Sequence, residues 1–274
     1  MELWQAFLLG IVEGLTELLP ISSTGHLTVV EDLLGMKVDD PGVTGFTAFI
    51  QVGAIFSVLI YFAGDIWRIV KAFVRGTFSA EHRDFDYRFG WYVIIGSVPI
   101  VVVGLVFKDF VSGELRNMWY VAIGAIVWSF VIWFAEYAAT HQRTERQVTA
   151  KDAIIIGLVQ CLSLVPGVSR AGSTMAAGLL RDFDRVTTTR LTFFLGIPAL
   201  TGAGVLEAKD ALTGSVELAP LIVGTVVSGV VAYASVAWLL KFVSKHTLMP
   251  FVWYRIAFGV VVIGLLATGV VAAK

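Results

Sequence analysis

The sequence contains few charged residues, and this shortage excludes a water-soluble globular protein. Only 15% of the 274 residues are charged and 57% are hydrophobic, whereas about a quarter of the residues in a typical soluble domain are charged. The polar side chains are too few to cover the surface of a water-soluble globule. The apolar side chains therefore require another solvent, and the lipid bilayer is the one that fits.

Cysteine, clustered positive charge and a secretory signal are scarce or missing. Cys161 is the only cysteine, so no internal disulfide can form. The formal net charge is −1 without a polybasic run, so nucleic acid is not an expected partner, because binding its phosphates requires a basic surface. Glu2 occupies the region that is positively charged in a secretory signal, and we expect the chain to insert through its own spans.

Six apolar stretches are long enough to cross a membrane, which requires roughly 20 residues in an α-helix. They are residues 45–64, 91–107, 118–138, 190–206, 218–240 and 251–272. Pairs of Trp and Tyr near several of their ends are typical of the aromatic belts at membrane surfaces. The sequence therefore predicts an all-α, polytopic membrane protein with six transmembrane helices, forming one membrane domain over residues 1–274.

Two further apolar stretches, residues 4–34 and 153–180, are interrupted by polar residues and proline. Glu13, Glu17 and Pro20 interrupt the first, and a Pro-Gly pair followed by a polar turn interrupts the second. Each arm is about ten residues long, too short to cross the hydrocarbon core. Broken helices are tolerated at membrane depth only inside protein or beside a water-filled cavity, so both stretches are predicted to be re-entrant helical hairpins.

The two interrupted stretches resemble each other. Residues 10–13 (GIVE) match residues 157–160 (GLVQ), and Gly25 and Gly172 follow the two opening glycines at equal distances. Three candidate spans follow each stretch. The sequence therefore predicts two repeats, the second inverted relative to the first, and such repeats place a binding site near the membrane midplane.

The repeats cover approximately residues 1–140 and 150–274, joined by the polar linker 141–151. Of the 20 Lys and Arg residues, 14 then fall on one face and Arg170 lies inside the second hairpin. Five fall on the other face: Lys37, Lys108, Arg116, Lys209 and Lys274. The positive-inside rule makes the first face cytoplasmic, so both termini are predicted to face outward.

Glu13 and Glu17 are four residues apart and share one face of a helix. Like charges at this spacing repel each other, and each costs about 3 kcal/mol or more at membrane depth. A divalent cation with oxygen ligands, Mg²⁺ or Ca²⁺, would compensate both charges. The alternative is a pair of interfacial glutamates in a shallow, wet helix.

A polar run follows in the first hairpin: Ser22, Ser23, Thr24, Gly25 and His26. Its hydroxyls can cap the next helix, whose free N–H groups and positive dipole end form an anion site, and its glycine allows close backbone approach. For the serines, ordinary capping is the alternative. His26 can act as a general acid or base near neutral pH, or can be a structural residue.

The second hairpin contains a similar run: Ser169, Arg170, Gly172, Ser173 and Thr174. It combines a helix N-terminus with a guanidinium whose planar fork suits phosphate oxygens. Alternatively, Arg170 snorkels to the interface or neutralises a glutamate. Gln51 in the first span is a further polar candidate, with a helix–helix hydrogen bond as its alternative. Tyr254 and Arg255, at the start of the last span, are interpreted as interfacial anchors.

At these motifs the chain resembles the undecaprenyl-diphosphate phosphatase family, BacA/UppP, also called bacitracin resistance proteins. The matching pieces are residues 13–26 (EGLTELLPISSTGH) and 166–174 (PGVSRAGST), with support from residues 50–53 and 250–255. The resemblance implies that the chain hydrolyses undecaprenyl diphosphate to the monophosphate and inorganic phosphate with a divalent cation. This reaction recycles the lipid carrier for peptidoglycan synthesis.

The resemblance also implies roles for individual residues. The family's acidic motif falls on Glu13 and Glu17, its histidine on His26 and its arginine on Arg170, and its serines fall on Ser22, Ser23 and Ser169. Ala171 departs from the family, since many members have serine there. The resemblance places the site on the periplasmic side of a bacterial inner membrane, in agreement with the charge distribution.

The resulting hypothesis is a membrane enzyme that acts on a polyprenyl diphosphate. Glu13 and Glu17 bind a metal against the diphosphate, Arg170 and the hairpin N–H groups bind phosphate oxygens, Ser23 attacks phosphorus and His26 transfers protons. The sequence leaves open whether Ser23, His26 or water is the nucleophile, and whether the protein forms a homodimer. The alternative function is a lipid flippase or secondary transporter, because inverted repeats are common in transporters.

Overall fold

The computed structural model describes residues 1–38, 40–107, 117–213 and 217–273, without the side chains of residues 203 and 205–213. Within these ranges the chain is helical and contains no β-strand, only an isolated bridge between Arg143 and Phe183. The α-helices are α1 (Leu3–Thr16), α2 (Ser23–Leu33), α3 (Pro41–Tyr61), α4 (Ala63–Phe78), α5 (Phe85–Val106), α6 (Met118–Ala138), α7 (Ala150–Gln160), α8 (Arg170–Leu180), α9 (Arg185–Thr213), α10 (Leu218–Val243) and α11 (Met249–Ala267).

Five of these helices, α3, α5, α6, α10 and α11, are long and apolar enough to cross a membrane. They coincide with five of the six predicted spans and make the chain a multi-pass membrane protein. The sixth predicted span, residues 190–206, lies within the 29-residue helix α9, whose side chains are described only in part. Among the residues counted for orientation, Lys108, Arg116 and Lys274 and the side chain of Lys209 lie outside the described part.

Both interrupted stretches are broken helices. The chain leaves the helix after Thr16 in the first and after a 3₁₀ turn, Cys161–Leu164, in the second. In each case a serine with positive φ precedes the next helix, 76° at Ser22 and 71° at Ser169. Few non-glycine residues adopt this conformation, which persists only where the surrounding structure enforces it and which is enriched at functional sites.

The first helix of each half packs on a spanning helix of the other half. Helix α1 packs on α10, and α7 packs on α5. A Cβ atom on Gly10 of α1 would lie 2.6 Å from the carbonyl oxygen of Gly224, and one on Gly157 of α7 would lie 2.1 Å from that of Gly96. Paired contacts of this kind are what two inverted repeats would produce, and the division into repeats stays a prediction.

The main hydrophobic core lies where the two broken helices meet the spans. It contains Leu18 beside the first turn, Phe62 between α3 and α4, Met175 of α8 and Phe194 of α9. The outer surface is apolar as well, with exposed large side chains on the spanning helices, including Phe56, Val102, Phe130 and Val230. This distribution matches a chain whose outer surface contacts lipid.

The linker between the two halves is fixed by ion pairs around Asp152, in the first turn of α7. The fully buried Asp152 carboxylate accepts hydrogen bonds from Arg143 at 2.6 Å and from Arg181 at 2.8 Å. Burial alone raises the pKa of Asp152, but the hydrogen bonds from Arg143, Thr149 and Arg181 outweigh it and keep this pKa well below its usual range. The cluster therefore joins the linker to α7 and to the end of α8.

Candidate active site

The two broken helices bring Glu17 and Arg170 together. Arg170 Nη2 donates a hydrogen bond to Glu17 Oε1 at 3.2 Å. The two side chains are only 6% and 11% exposed, respectively, for Glu17 and Arg170. Charges this deeply buried require a partner, because removal from water is costly. The predicted meeting of an acid from one interrupted stretch with the cation from the other is therefore confirmed.

Ser23 is the second partner of Glu17. Its hydroxyl donates a hydrogen bond to Glu17 Oε2 at 2.5 Å, from the first residue of α2 back to the end of α1. A hydroxyl bonded to a carboxylate whose other oxygen is oriented by a third group is the general arrangement of an activated nucleophile. Ser23, Glu17 and Arg170 form such a chain of contacts.

Glu13 lies one helical turn before Glu17 and is also buried. Among the described residues, no group of three or more His, Cys, Asp and Glu side chains could bind a metal ion by itself. Mg²⁺, however, is commonly bound by one or two carboxylates, with substrate phosphate and water as its other ligands. Two carboxylates are too few for a cage made by protein alone, so an ion bound by Glu13 and Glu17 would need phosphate and water as further ligands, and this site stays a prediction.

His26 is oriented by a helix from the far end of the chain. Its Nδ1 lies 2.7 Å from the Ser22 carbonyl oxygen and must carry the proton, so Nε2 accepts a hydrogen bond from the Tyr254 hydroxyl at 2.8 Å. The ring stacks on Phe258, with centroids 4.0 Å apart. Both ring nitrogens of His26 therefore have other partners. Among the described residues, the Ser23 hydroxyl bonds to Glu17 and not to His26. A role of His26 in proton transfer stays a prediction.

The hydroxyls of the second turn make local contacts. Ser169 Oγ caps α8 by accepting a hydrogen bond from the Gly172 N–H at 3.1 Å. Ser173 and Thr174 each donate to the Arg170 carbonyl oxygen at 2.9 Å. The Ser169 hydroxyl therefore acts as a helix cap, and the other two hydroxyls bond within α8 to the backbone of Arg170.

The Arg170 guanidinium has donor capacity to spare. Its Nη1 lies 3.4 Å from the Thr192 carbonyl oxygen, and it passes so close to α9 that a Cβ atom on Gly196 would lie 2.1 Å from Nη1. Its buried Nε has no hydrogen-bond partner among the described residues. The snorkelling alternative is wrong, because the side chain lies inside the protein, whereas the alternative that Arg170 neutralises a glutamate agrees with its ion pair to Glu17. A buried, unused donor on a planar fork suits a phosphate oxygen.

Four other predicted substrate-binding residues do not join this chain of contacts. Gly25 and Gly172 pack against α6, where added Cβ atoms would lie 2.7 Å from Val121 Cγ1 and 3.2 Å from Ile132 Cδ1. Gln51 is half-buried and makes no hydrogen bond within the described ranges. Thr24 is exposed beside Ser23. Contacts of these residues with substrate stay predictions.

The interpretation of Arg255 as an interfacial anchor is wrong. Arg255 is fully buried and donates hydrogen bonds to the carbonyl oxygens of Pro20 at 3.1 Å, Gly167 at 2.8 Å and Val168 at 3.1 Å. Pro20 belongs to the first turn, and Gly167 and Val168 belong to the second. One guanidinium on α11 therefore joins both turns.

Arg255 also anchors both turns to α6. Its Nε lies 3.2 Å from Ser129 Oγ, and its Nη2 lies 3.3 Å from the Ala125 carbonyl oxygen. The neighbouring Tyr254 is partly exposed and reaches His26, as described above. Sequence reasoning missed the contacts of Arg255 with both turns and the contact of Tyr254 with His26. The only signal in the sequence was the match of residues 250–255 to the family.

Comparison with known proteins identifies the family. The family model described as bacitracin resistance protein BacA matches residues 6–261. Undecaprenyl-diphosphatase 1 of Streptomyces coelicolor is 57% identical over 268 residues, 97% of this chain and 96% of that protein. Undecaprenyl-diphosphatase 3 of Frankia casuarinae is 50% identical over 100% of both chains. Undecaprenyl-diphosphatase of Mycolicibacterium smegmatis is 47% identical over 98% of this chain and 99% of its own. The chain therefore belongs to the bacitracin resistance protein BacA family.

Proposed function

We propose that this chain hydrolyses undecaprenyl diphosphate to undecaprenyl phosphate and inorganic phosphate. The reaction recycles the lipid carrier for cell-wall synthesis and so supports resistance to bacitracin. The observation that carries the proposal is the series Ser23–Glu17–Arg170, in which a hydroxyl, a base and a phosphate-binding cation meet at two helix starts. The names of the relatives identify the substrate.

In the proposed reaction, Ser23 Oγ attacks the terminal phosphorus while Glu17 Oε2 accepts its proton. The bond from phosphorus to the bridging oxygen breaks, and undecaprenyl phosphate leaves with the proton returned to it. Water then hydrolyses the phosphoserine and releases inorganic phosphate. A water molecule activated by the same carboxylate is the alternative nucleophile.

Stabilisation of negative charge comes from the second hairpin. The transferring phosphoryl group carries charge on its oxygens, and fixed donors aimed at that charge are the main requirement of this chemistry. Arg170 has an unpartnered buried Nε among the described residues, and α2 and α8 both begin at the site, where the positive end of a helix favours an anion. Substrate phosphate competes with Glu17 for Arg170, which frees Glu17 to act as a base.

A divalent cation, Mg²⁺ or Ca²⁺, is part of the proposal. Glu13 and Glu17 would bind it together with phosphate oxygens of the substrate. When bound, it neutralises charge on the diphosphate.

The proposal places the protein in a bacterial inner membrane, with α9 as the sixth span and both broken helices re-entrant. The 11-residue helices α2 and α8 are each about 16 Å long, which is half the thickness of the hydrocarbon core. The excess of cations on one face supports an orientation with both termini and the site toward the periplasm. The apolar outer surface leaves the prenyl tail in lipid while its head group reaches the site.

A lipid flippase or secondary transporter is the weaker hypothesis. Opposed broken helices suit transport, but a transporter needs no hydroxyl bonded to a carboxylate, and the relatives carry the name of a phosphatase.

Phosphate release from a polyprenyl diphosphate by purified protein, with and without a chelator, tests the proposal. Glu17→Gln and Arg170→Ala are each expected to lower the rate at least about 100-fold. The exposed residues Glu81 and Arg88 provide matched controls, Glu81→Gln and Arg88→Ala, which are expected to retain normal rates. Near-normal release by both site variants would eliminate the mechanism, and full activity in chelator would eliminate the metal.

A further inference from the structure

Helix α4 lies between two spanning helices at one surface of the membrane. The single residue Phe62 separates it from α3, and α5 begins at Phe85, a few residues after α4 ends. The 21 residues of α3 extend about 31 Å, which is the thickness of the hydrocarbon core. Helix α4 therefore begins where the chain leaves the acyl chains and ends before the chain enters them again.

One face of α4 packs on the start of α5. Phe73 contacts the rings of Tyr87 and Trp91, with centroids 5.8 Å and 5.2 Å away. Gly76 lies against Tyr87, where a Cβ atom would lie 2.4 Å from the ring. This packing sets the rotation of α4 and decides which side chains point away from the protein.

A second face of α4 is apolar and uncovered. Trp67 is 70% exposed, Val70 47%, Val74 50% and Phe78 87%. Their spacing of three and four residues places them in one stripe along the helix. Ile60, near the end of α3, is a further apolar side chain exposed on an adjoining span.

A basic face borders this apolar stripe. Arg68 is paired with Asp65 at 3.0 Å and with Asp86 at 2.9 Å. Lys71 and Arg75 are exposed and have no ion pair among the residues that the structure describes. Two unpaired cations beside an apolar stripe, at the level where lipid head groups lie, match the pattern of helices that bind anionic membranes in the interfacial plane.

We propose that α4 is an interfacial helix that binds anionic phospholipid. Lys71 and Arg75 contact the head-group phosphates, and Trp67, Val70, Val74 and Phe78 insert among the ends of the acyl chains. The short connections of α4 to two spanning helices and the sign of the unpaired charges favour lipid over a soluble protein partner. This surface is independent of the proposed phosphatase site.

Depth measurements on the full chain in lipid nanodiscs test the proposal. In a Cys161→Ser background, a single cysteine replaces Val74 or the exposed Glu81 and carries a bimane label. The label at position 74 is expected to be quenched by lipids with brominated acyl chains and shielded from aqueous iodide, and the label at position 81 is expected to behave in the opposite way. Equal access of iodide to both positions would overturn the proposal.

The preference for anionic lipid is tested at position 74 by comparing brominated phosphatidylglycerol with brominated phosphatidylcholine. Each cation near the membrane surface strengthens the binding of anionic lipid about fivefold. The combined change Lys71→Gln and Arg75→Gln should therefore remove a preference of about 25-fold for phosphatidylglycerol. The control Lys241→Gln with Lys245→Gln, on exposed cations of another segment, should leave it intact. Two outcomes would overturn binding of lipid by this face. One is equal quenching of the label by both lipids in the unmutated protein, and the other is a shielding of the label from iodide that varies with the number of protein copies per disc.

Discussion

Arg170 Nη2 lies 3.2 Å from Glu17 Oε1, although 153 residues separate the two in sequence. Neither charge is tolerable alone in this buried position, because an unpaired buried ion is strongly destabilising. The contact therefore links the folding of the two halves to the assembly of the site. It also makes the pair one functional unit, and mutations in it should not act independently.

A double-mutant cycle tests this coupling. Glu17→Gln and Arg170→Ala should each reduce phosphate release at least about 100-fold, and the double variant should lose much less than the product of the two effects. Steady-state rates of the four proteins in one detergent provide the measurement. Losses that multiply would show that the two groups act separately, contrary to the proposed mechanism.

The nucleophile can be identified by trapping a covalent intermediate. With substrate labelled in the terminal phosphate, acid quenching during turnover should leave labelled phosphoserine on the protein, and Ser23→Ala should leave none. The exposed Ser244 provides the control variant, Ser244→Ala, which should retain the label. Unlabelled protein at a normal turnover rate would assign the attack to water.

Arg255 is expected to position both turns. Arg255→Gln removes most of the donors that serve Pro20, Gly167 and Val168, and each buried acceptor left without a partner costs about 1–3 kcal/mol. Thermal unfolding in detergent should shift to lower temperature, and the residual folded protein should show a lower kcat. The exposed Arg88 serves as the control, Arg88→Gln. A folded Arg255→Gln variant with unchanged kcat would refute the positioning role.

The Asp152 cluster predicts how stability depends on pH. Because its folded-state pKa is below the unfolded value of about 3.9, the ionised carboxylate stabilises the protein above that pH and loses this effect as the pH falls further. Asp152→Asn should cost at most about 3 kcal/mol near pH 7, since Arg143 and Arg181 are 25% and 33% exposed and water screens them. The difference in thermal stability between variant and parent should shrink below about pH 4. A difference that grows on acidification would contradict this sign.

The close approach of α7 to α5 predicts a strict requirement for glycine. Gly157→Ala would place Cβ 2.1 Å from a backbone oxygen of α5, so the helices must separate, and we expect poor folding yield and a lower unfolding temperature. Gly264 on α11 has no atom within 4 Å of the position of a Cβ, and Gly264→Ala should therefore be tolerated. Equal stability of the two variants would mean that the contact between α5 and α7 is looser than the structure indicates.

Sequence reasoning could predict those parts of the fold that follow from local composition. Long apolar runs predict spanning helices because any apolar surface of that length needs lipid, and five of the six agree with the structure. The breaks near Pro20 and Pro166 follow from local backbone chemistry, since proline and polar turns interrupt a helix. Helix α4 was missed, because a short amphipathic helix beside a span resembles a polar loop in any long hydropathy window.

Most groups of the candidate site could also be predicted, but few of their partners. Glu17 and Arg170 could be paired in advance because buried charges of opposite sign require each other. The bond of Ser23 to Glu17 in preference to His26, and the contact of His26 with Tyr254, depend on how α1, α2 and α11 are rotated about their axes. No pattern in the local sequence predicts these rotations.

By itself, the sequence determined the membrane environment, the helical class, the two breaks and the charged groups that must find partners, because each follows from the chemistry of neighbouring residues. Only the tertiary structure decided which partners they find. Arg255 shows the difference: a cation at the start of an apolar helix can reach the membrane surface or turn inward. Three carbonyl oxygens that two distant turns leave without helical partners make the inward position the stable one.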